Sequence, residues 1–193
     1  MVRLQSQDFT QQYGLTAKRI LPDPRFYEFV HTDSILLSMA IMLGVRNQLE
    51  LFRRPMEGQD LMLVVNLERY LVNSINRALD DPVRGISDQL LVLVALYAAY
   101  EIKHGDAQRY RVHMDGLVRM ISLRGGLAVI GRFDPYIVRF LNWVDVNSSK
   151  IAGSEGYLQY MSNNLGIGRP QANTRVFRAR SEMDPERITD EGV

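Results

Sequence analysis

The stretch HMDGLVRMISLRGGLAVIG, from His113 to Gly131, sets two adjacent glycines, Gly125 and Gly126, behind Arg124. Glycine-rich runs cradle phosphates when bare backbone amides point at the anion, and a histidine beside polar groups can move protons. A phosphate loop, however, follows a strand and opens a helix, whereas a helical pattern precedes these glycines. A joint between helices explains them better. Gly125 supplies the left-handed residue that ends many helices, and Arg124 suits the negative end of the helix dipole.

Other candidate chemistry is thinner. Glu101 and His104 form a Glu-x-x-His, the spacing that puts two metal ligands on one helix face in di-iron bundles. That architecture needs a second such pair and two more inward glutamates; Glu28 and His31 repeat the spacing, but in the stretch read as an irregular lead-in, and His113 has no glutamate three residues before it. The expectation is a solvated Glu101 and a His104 favoured by the helix C-terminus. Ser122 and Ser148 lack the Gly-x-Ser-x-Gly context of a nucleophile. The run LGIGRP at 165–170 lacks the Lys-Ser or Lys-Thr of a phosphate-binding loop and the third glycine of a dinucleotide fold. Arg169, Arg175, Arg178 and Arg180 read as part of a solvated mixed-charge tail. No catalytic residue, cofactor or metal site is expected, and the chain is not read as an enzyme.

Composition narrows the partners. The 193 residues suit one ordinary domain, and 46% hydrophobic with 23% charged residues is the balance of a globular protein. Net charge is +1, so the basic excess that phosphate neutralisation requires is missing. The sequence holds no cysteine, which excludes disulfides, thiolate zinc sites, iron–sulfur clusters and cysteine nucleophiles within it. The N-terminal residues lack the apolar core of a signal peptide, and the longest apolar run, Leu90 to Ala99, is about half of a membrane span. A soluble, intracellular protein is expected, with neither membrane nor direct nucleic-acid binding.

These residues need helices to position them. Residues 1–30 show no sustained period and are read as an irregular lead-in with at most a short helical piece. From Thr32, Ile35, Met39, Met42 and Leu43 recur at helical spacing behind a cap at Thr32 or Asp33. Beyond Pro55 and Gly58, a second helix starts near Gln59 and buries Val64, Leu67, Leu71, Ile75 and Ala78. Ser87 caps a third, ending near His104, whose run LLVLVALYAA is apolar on all sides and marks a central helix. Asp106 caps the next, with Tyr110, Met114, Leu117 and Ile121 inward as far as Arg124. A short helix over LAVI ends at Gly131. Asp134 and Pro135 then start the last, with Ile137, Val138, Leu141 and Val144 inward. The fold class is all-α, a compact array of about five to six antiparallel helices joined by short turns. The helical domain is placed at residues 31–152, and residues 153–193 are read as a polar, mobile tail with a short helix over Leu158 to Leu165.

The pattern H-x-x-GL-x-RMI-x-LRGGL-x-x-IG, followed by W-x-D at Trp143 and Asp145, resembles the fungal-specific transcription factor domain. PRFYEFVHTDSILLSMAIM and LERYLVNSINRALDDP add to the resemblance, which covers about residues 25–150. The positions that carry it are His113, Gly116, Leu117, Arg124, Gly125, Gly126, Leu127, Gly131, Trp143 and Asp145. The resemblance implies that they build a helical core and are not catalytic. It also implies a nuclear, transcription-regulating module with a regulatory, dimerisation or interaction role. Such domains usually lie downstream of a zinc binuclear cluster, which needs six cysteines; this sequence has none. The family region ordinarily continues through further helices, so a partial domain is expected, with apolar surface left for a protein partner or a second copy. The alternatives are a small-molecule-sensing domain with its pocket between helices, or a truncated fragment without independent function.

One contact follows from geometry. If the helix ending at Arg124 packs antiparallel to the one starting at Pro135, His113 and Asp145 both lie roughly 16 Å from the joint at 1.5 Å per residue. A His113–Asp145 hydrogen bond clamping the two helices is therefore expected.

Overall fold

The computed structural model describes residues 24–158. Among them the fold is all helical. The helices are α1 (Pro24–His31), α2 (Ser34–Leu51), α3 (Gly58–Leu79), α4 (Asp88–His104), α5 (Ala107–Leu123), α6 (Leu127–Phe133) and α7 (Pro135–Ala152), with a 3-10 turn at Arg84–Ile86 before α4. Seven helices thus stand where five to six are expected. The addition is α1, in the stretch read as lead-in, which stacks Phe26 on Phe140 of α7 with ring centroids 5.7 Å apart. Beyond Leu158, the expected helix over 158–165 and the expected mobile tail lie outside the described residues; of the tail's first residues, Tyr157 and Leu158 are bonded to Asp145 and Leu158 is buried.

The helix starts follow the capping residues. Asp33 accepts hydrogen bonds from the Ile35 and Leu36 amides at 2.7 and 3.1 Å. Ser87 accepts from the Leu90 amide at 3.3 Å. Asp134 accepts from the Tyr136 amide at 2.8 Å, with Pro135 behind it. Each satisfies an amide that the first turn of a helix leaves without an internal partner.

Around α4 the rest assembles. Every residue from Leu90 to Glu101 is buried, and α4 packs most extensively against α5 and α7. The expected inward faces of α5 and α7 are buried, as is that of α3 apart from the half-buried Leu67. α7 is buried well beyond its apolar face, with Asn142, Asp145, Asn147, Ser148 and Ser149 also inside. α2 pairs with α3 and touches α4 along one side.

Candidate functional site

At the joint, Gly125 and Gly126 adopt φ of 88° and 89°, a region that side chains disfavour. The Gly125 amide donates to the Ser122 carbonyl at 3.0 Å and the Gly126 amide to Ile121 at 2.9 Å. The two amides are spent closing α5 and are not aimed at an anion. Arg124 does more than face its own helix terminus: it pairs with Asp88 in the first turn of α4. Leu117 and Leu127 are buried beside the joint, Gly131 abuts Val138, and Gly116 sits exposed on α5 with open space around it.

The expected clamp is not formed. Asp145 turns to the chain that follows α7, accepting the Tyr157 and Leu158 amides at 2.9 Å each. That bonding seats Leu158 in the core, fully buried. Burial pushes the Asp145 carboxyl up from its ordinary value, and the two amides pull it back. His113 instead meets Tyr97 of α4 edge to face, 4.9 Å between ring centroids. Two bare amides beyond the helix end outcompete an imidazole across the interface, because a carboxylate bonded by paired amides stays charged at lower cost. Trp143 is buried and packs near Phe140, with centroids 6.2 Å apart.

Glu101 and His104 also part company. Glu101 is buried, which corrects the expectation of a solvated side chain. It accepts the Asp106 amide at 3.4 Å and faces Arg109 at 3.8 Å. A Cβ at Gly105 would run into its carboxylate, so a larger residue in that turn would have to displace Glu101. His104 points the other way, its Nδ1 3.0 Å from Glu50 of α2. Lys103 reaches the same Glu50 at 2.7 Å and Asn47 at 2.8 Å. Beside them, Arg46 donates to the Tyr100 hydroxyl at 3.0 Å, which donates to Glu68 of α3 at 2.8 Å.

This polar seam ties α2 and α3 to α4. Burial alone would raise the Glu50 carboxyl, but hydrogen bonds from His104 and Lys103 bring it down to about 2. Burial holds His104 below its ordinary range, more than Glu50 lifts it. The imidazole is therefore neutral at neutral pH and donates from Nδ1, and its Nε2 is buried without a partner. Glu50–His104 is a hydrogen bond, and Lys103 carries the positive charge. Sequence reading missed this seam, since its members lie on three helices and only the Arg46–Glu50 and Tyr100–His104 spacings hint at it.

The opposite side of α2 is apolar and exposed. Ile35, Leu36, Met39, Met42 and Leu49 face inward. Facing out are Leu37, Ile41, Leu51 and Phe52, exposed by 38%, 45%, 47% and 62%. A helix apolar all round is normally buried all round. α3 carries a second exposed apolar row, Leu61, Val65, Val72 and Leu79, at helical spacing. No single helix among the described residues is long and apolar enough to cross a membrane, and α1 with α2, the one pair apolar enough together, is bent by 115°.

A family model for the fungal specific transcription factor domain matches residues 60–170, more than half of the chain and the whole joint. α1 and α2 lie ahead of the matched stretch. No curated protein and no solved structure matches the chain.

Proposed function

Starting from a chain that belongs to the fungal specific transcription factor domain family, we propose that it is a non-catalytic interaction module of a nuclear transcription regulator. It binds a protein through the outer face of α2 and the adjoining row of α3. The observation that carries this reading is α2 itself, apolar on both sides from Ile35 to Leu43 and covered on one. Leaving such a face in water costs about 25 cal/mol for each Å² of apolar surface, and a partner removes that cost. With no cysteine, this sequence cannot form a zinc binuclear cluster, so DNA recognition of that kind falls to another polypeptide or another segment.

The test fuses the full chain to an unrelated DNA-binding domain and reads a reporter in fungal cells. The expected result is a change in transcription that the double substitution Leu37→Asp with Ile41→Asp abolishes while the melting temperature holds. A reporter response indifferent to that substitution would overturn the reading.

A further inference from the structure

The geometry of α2 points to a second copy of this chain as the occupant of its outer face, an inference that rests on that face being an interaction surface. We propose that two α2 helices cross antiparallel on a two-fold axis at Gly44.

The outer row is Leu37, Ile41, Gly44, Gln48 and Leu51, the alternating four- and three-residue steps of a helix–helix seam. Leu37 and Leu51 stand equally far from Gly44, so a two-fold axis there lays Leu37 of each copy on Leu51 of the other. An isologous contact requires such self-complementarity. Gly44 supports the same axis. It is exposed in the middle of α2, a Cβ there would meet nothing within 4 Å, and glycine inside a helix costs stability relative to alanine. Nothing among the described residues calls for glycine at this position, whereas close approach of two backbones does.

Charge selects the orientation. At the two ends of α2, Asp33 is paired with Arg84 and Arg54 with Asp60 within one copy, which leaves exposed Arg53 at the C-terminal end and exposed Glu28 on α1, ahead of the N-terminal end. Neither Glu28 nor Arg53 has an ion-pair partner among the described residues. Arg53 holds φ of 50°, a conformation where glycine is preferred. An antiparallel crossing brings Arg53 of one copy toward the end of α2 that Glu28 precedes in the other; a parallel one sets Arg53 against Arg53. α2 has 18 residues and is about 27 Å long. A contact of that length lies at the small end of specific interfaces, near 1,000 Å² in total. The association is therefore weak, with Kd on the order of 10–100 μM.

The experiment takes the full chain through sedimentation velocity from about 1 to 200 μM and adds cysteine cross-linking, which a cysteine-free sequence makes unambiguous. The wild type is expected to pass from monomer to dimer. Gly44→Leu should keep the helical circular dichroism and the melting temperature while raising the dimer Kd about tenfold or more. Under oxidation, Gly44→Cys should cross-link to itself. Leu37→Cys should cross-link only when mixed with Leu51→Cys, because two antiparallel copies of position 37 lie about 21 Å apart, beyond disulfide reach. A wild type that stays monomeric, Leu37→Cys that cross-links to itself, or α2-dependent binding to phosphatidylserine vesicles without dimerisation would each overturn the proposal. A monomeric chain whose reporter response still needs Leu37 and Ile41 would remove the second copy and leave the protein-interaction reading standing.

Discussion

α4 and the first half of α2 are built from nearly the same residue types, LLVLVALYAAY against ILLSMAIML, and each run is apolar around its whole circumference. α4 is enclosed from Leu90 to Glu101 by its neighbours. α2 has neighbours on one side, and its other side carries Leu37, Ile41, Leu51 and Phe52 into solvent. Similar sequences in different surroundings show that residue type sets how much surface a helix must hide, while topology sets what hides it. For α4 the chain supplies everything. For α2 the described residues supply half, and the polar seam at Glu50, Lys103 and His104 ties that half to α4.

Substitutions separate the two sides. The largest effect is expected inside: Leu93→Asp in α4, or Leu36→Asp on the inner face of α2, buries a charge without a partner and costs more than about 4 kcal/mol, enough to unfold a marginal domain. One residue further along, Leu37→Asp should shift stability by no more than about 0.5 kcal/mol. Urea unfolding of the three variants checks this, and equal losses at positions 36 and 37 would break the comparison.

Next in size is Asp145→Ala, which orphans the Tyr157 and Leu158 amides and should cost about 2–3 kcal/mol. The same unfolding measurement reads it, with faster proteolysis beyond α7 as a second sign. His113→Ala should cost less, since it removes a ring contact and no hydrogen bond.

The seam sharpens the comparison through pH. His104 is held below its ordinary value of 6.5, so as pH falls below that value the unfolded chain takes the proton first and stability declines. Glu50, lowered from 4.5 to about 2, contributes stability that is present above 4.5 and lost as pH falls through that window. Unfolding measured from pH 7 to 3 should show both declines, and Glu50→Gln should remove the lower one. A change of the opposite sign is expected from Arg53→Gly, which relieves a left-handed arginine and should stabilise the monomer by about 1 kcal/mol. If Arg53 serves the dimer, the same substitution weakens association while it raises the melting temperature, a split that a purely structural role does not produce.

How legible this was depended on the range of each interaction. Caps and joints are local: Asp33, Ser87, Asp106, Asp134 and the Gly125–Gly126 pair declare themselves by residue type and position, and each serves as read. Asp145 was not legible in the same way. Its position on the buried face of α7 is readable, but its partners are backbone amides beyond the helix, and amides carry no sequence signature. Glu101 looked solvated because charged residues near a helix end usually are; a buried turn amide and Arg109 keep it inside instead. The outer face of α2 was visible in principle. Leu37, Ile41 and Leu51 lie opposite Ile35, Met39 and Met42 at 100° per residue, a second apolar stripe where a surface helix ordinarily carries one.

The most direct test of whether that outer face is covered in solution uses Ile41→Cys, the lone thiol of an otherwise cysteine-free chain. Its labelling rate by a small thiol reagent is followed as protein concentration rises, beside Ala128→Cys on the exposed surface of α6. The account expects labelling at position 41 to slow with concentration while position 128 stays constant. Rates that remain equal and flat across the whole range would contradict it.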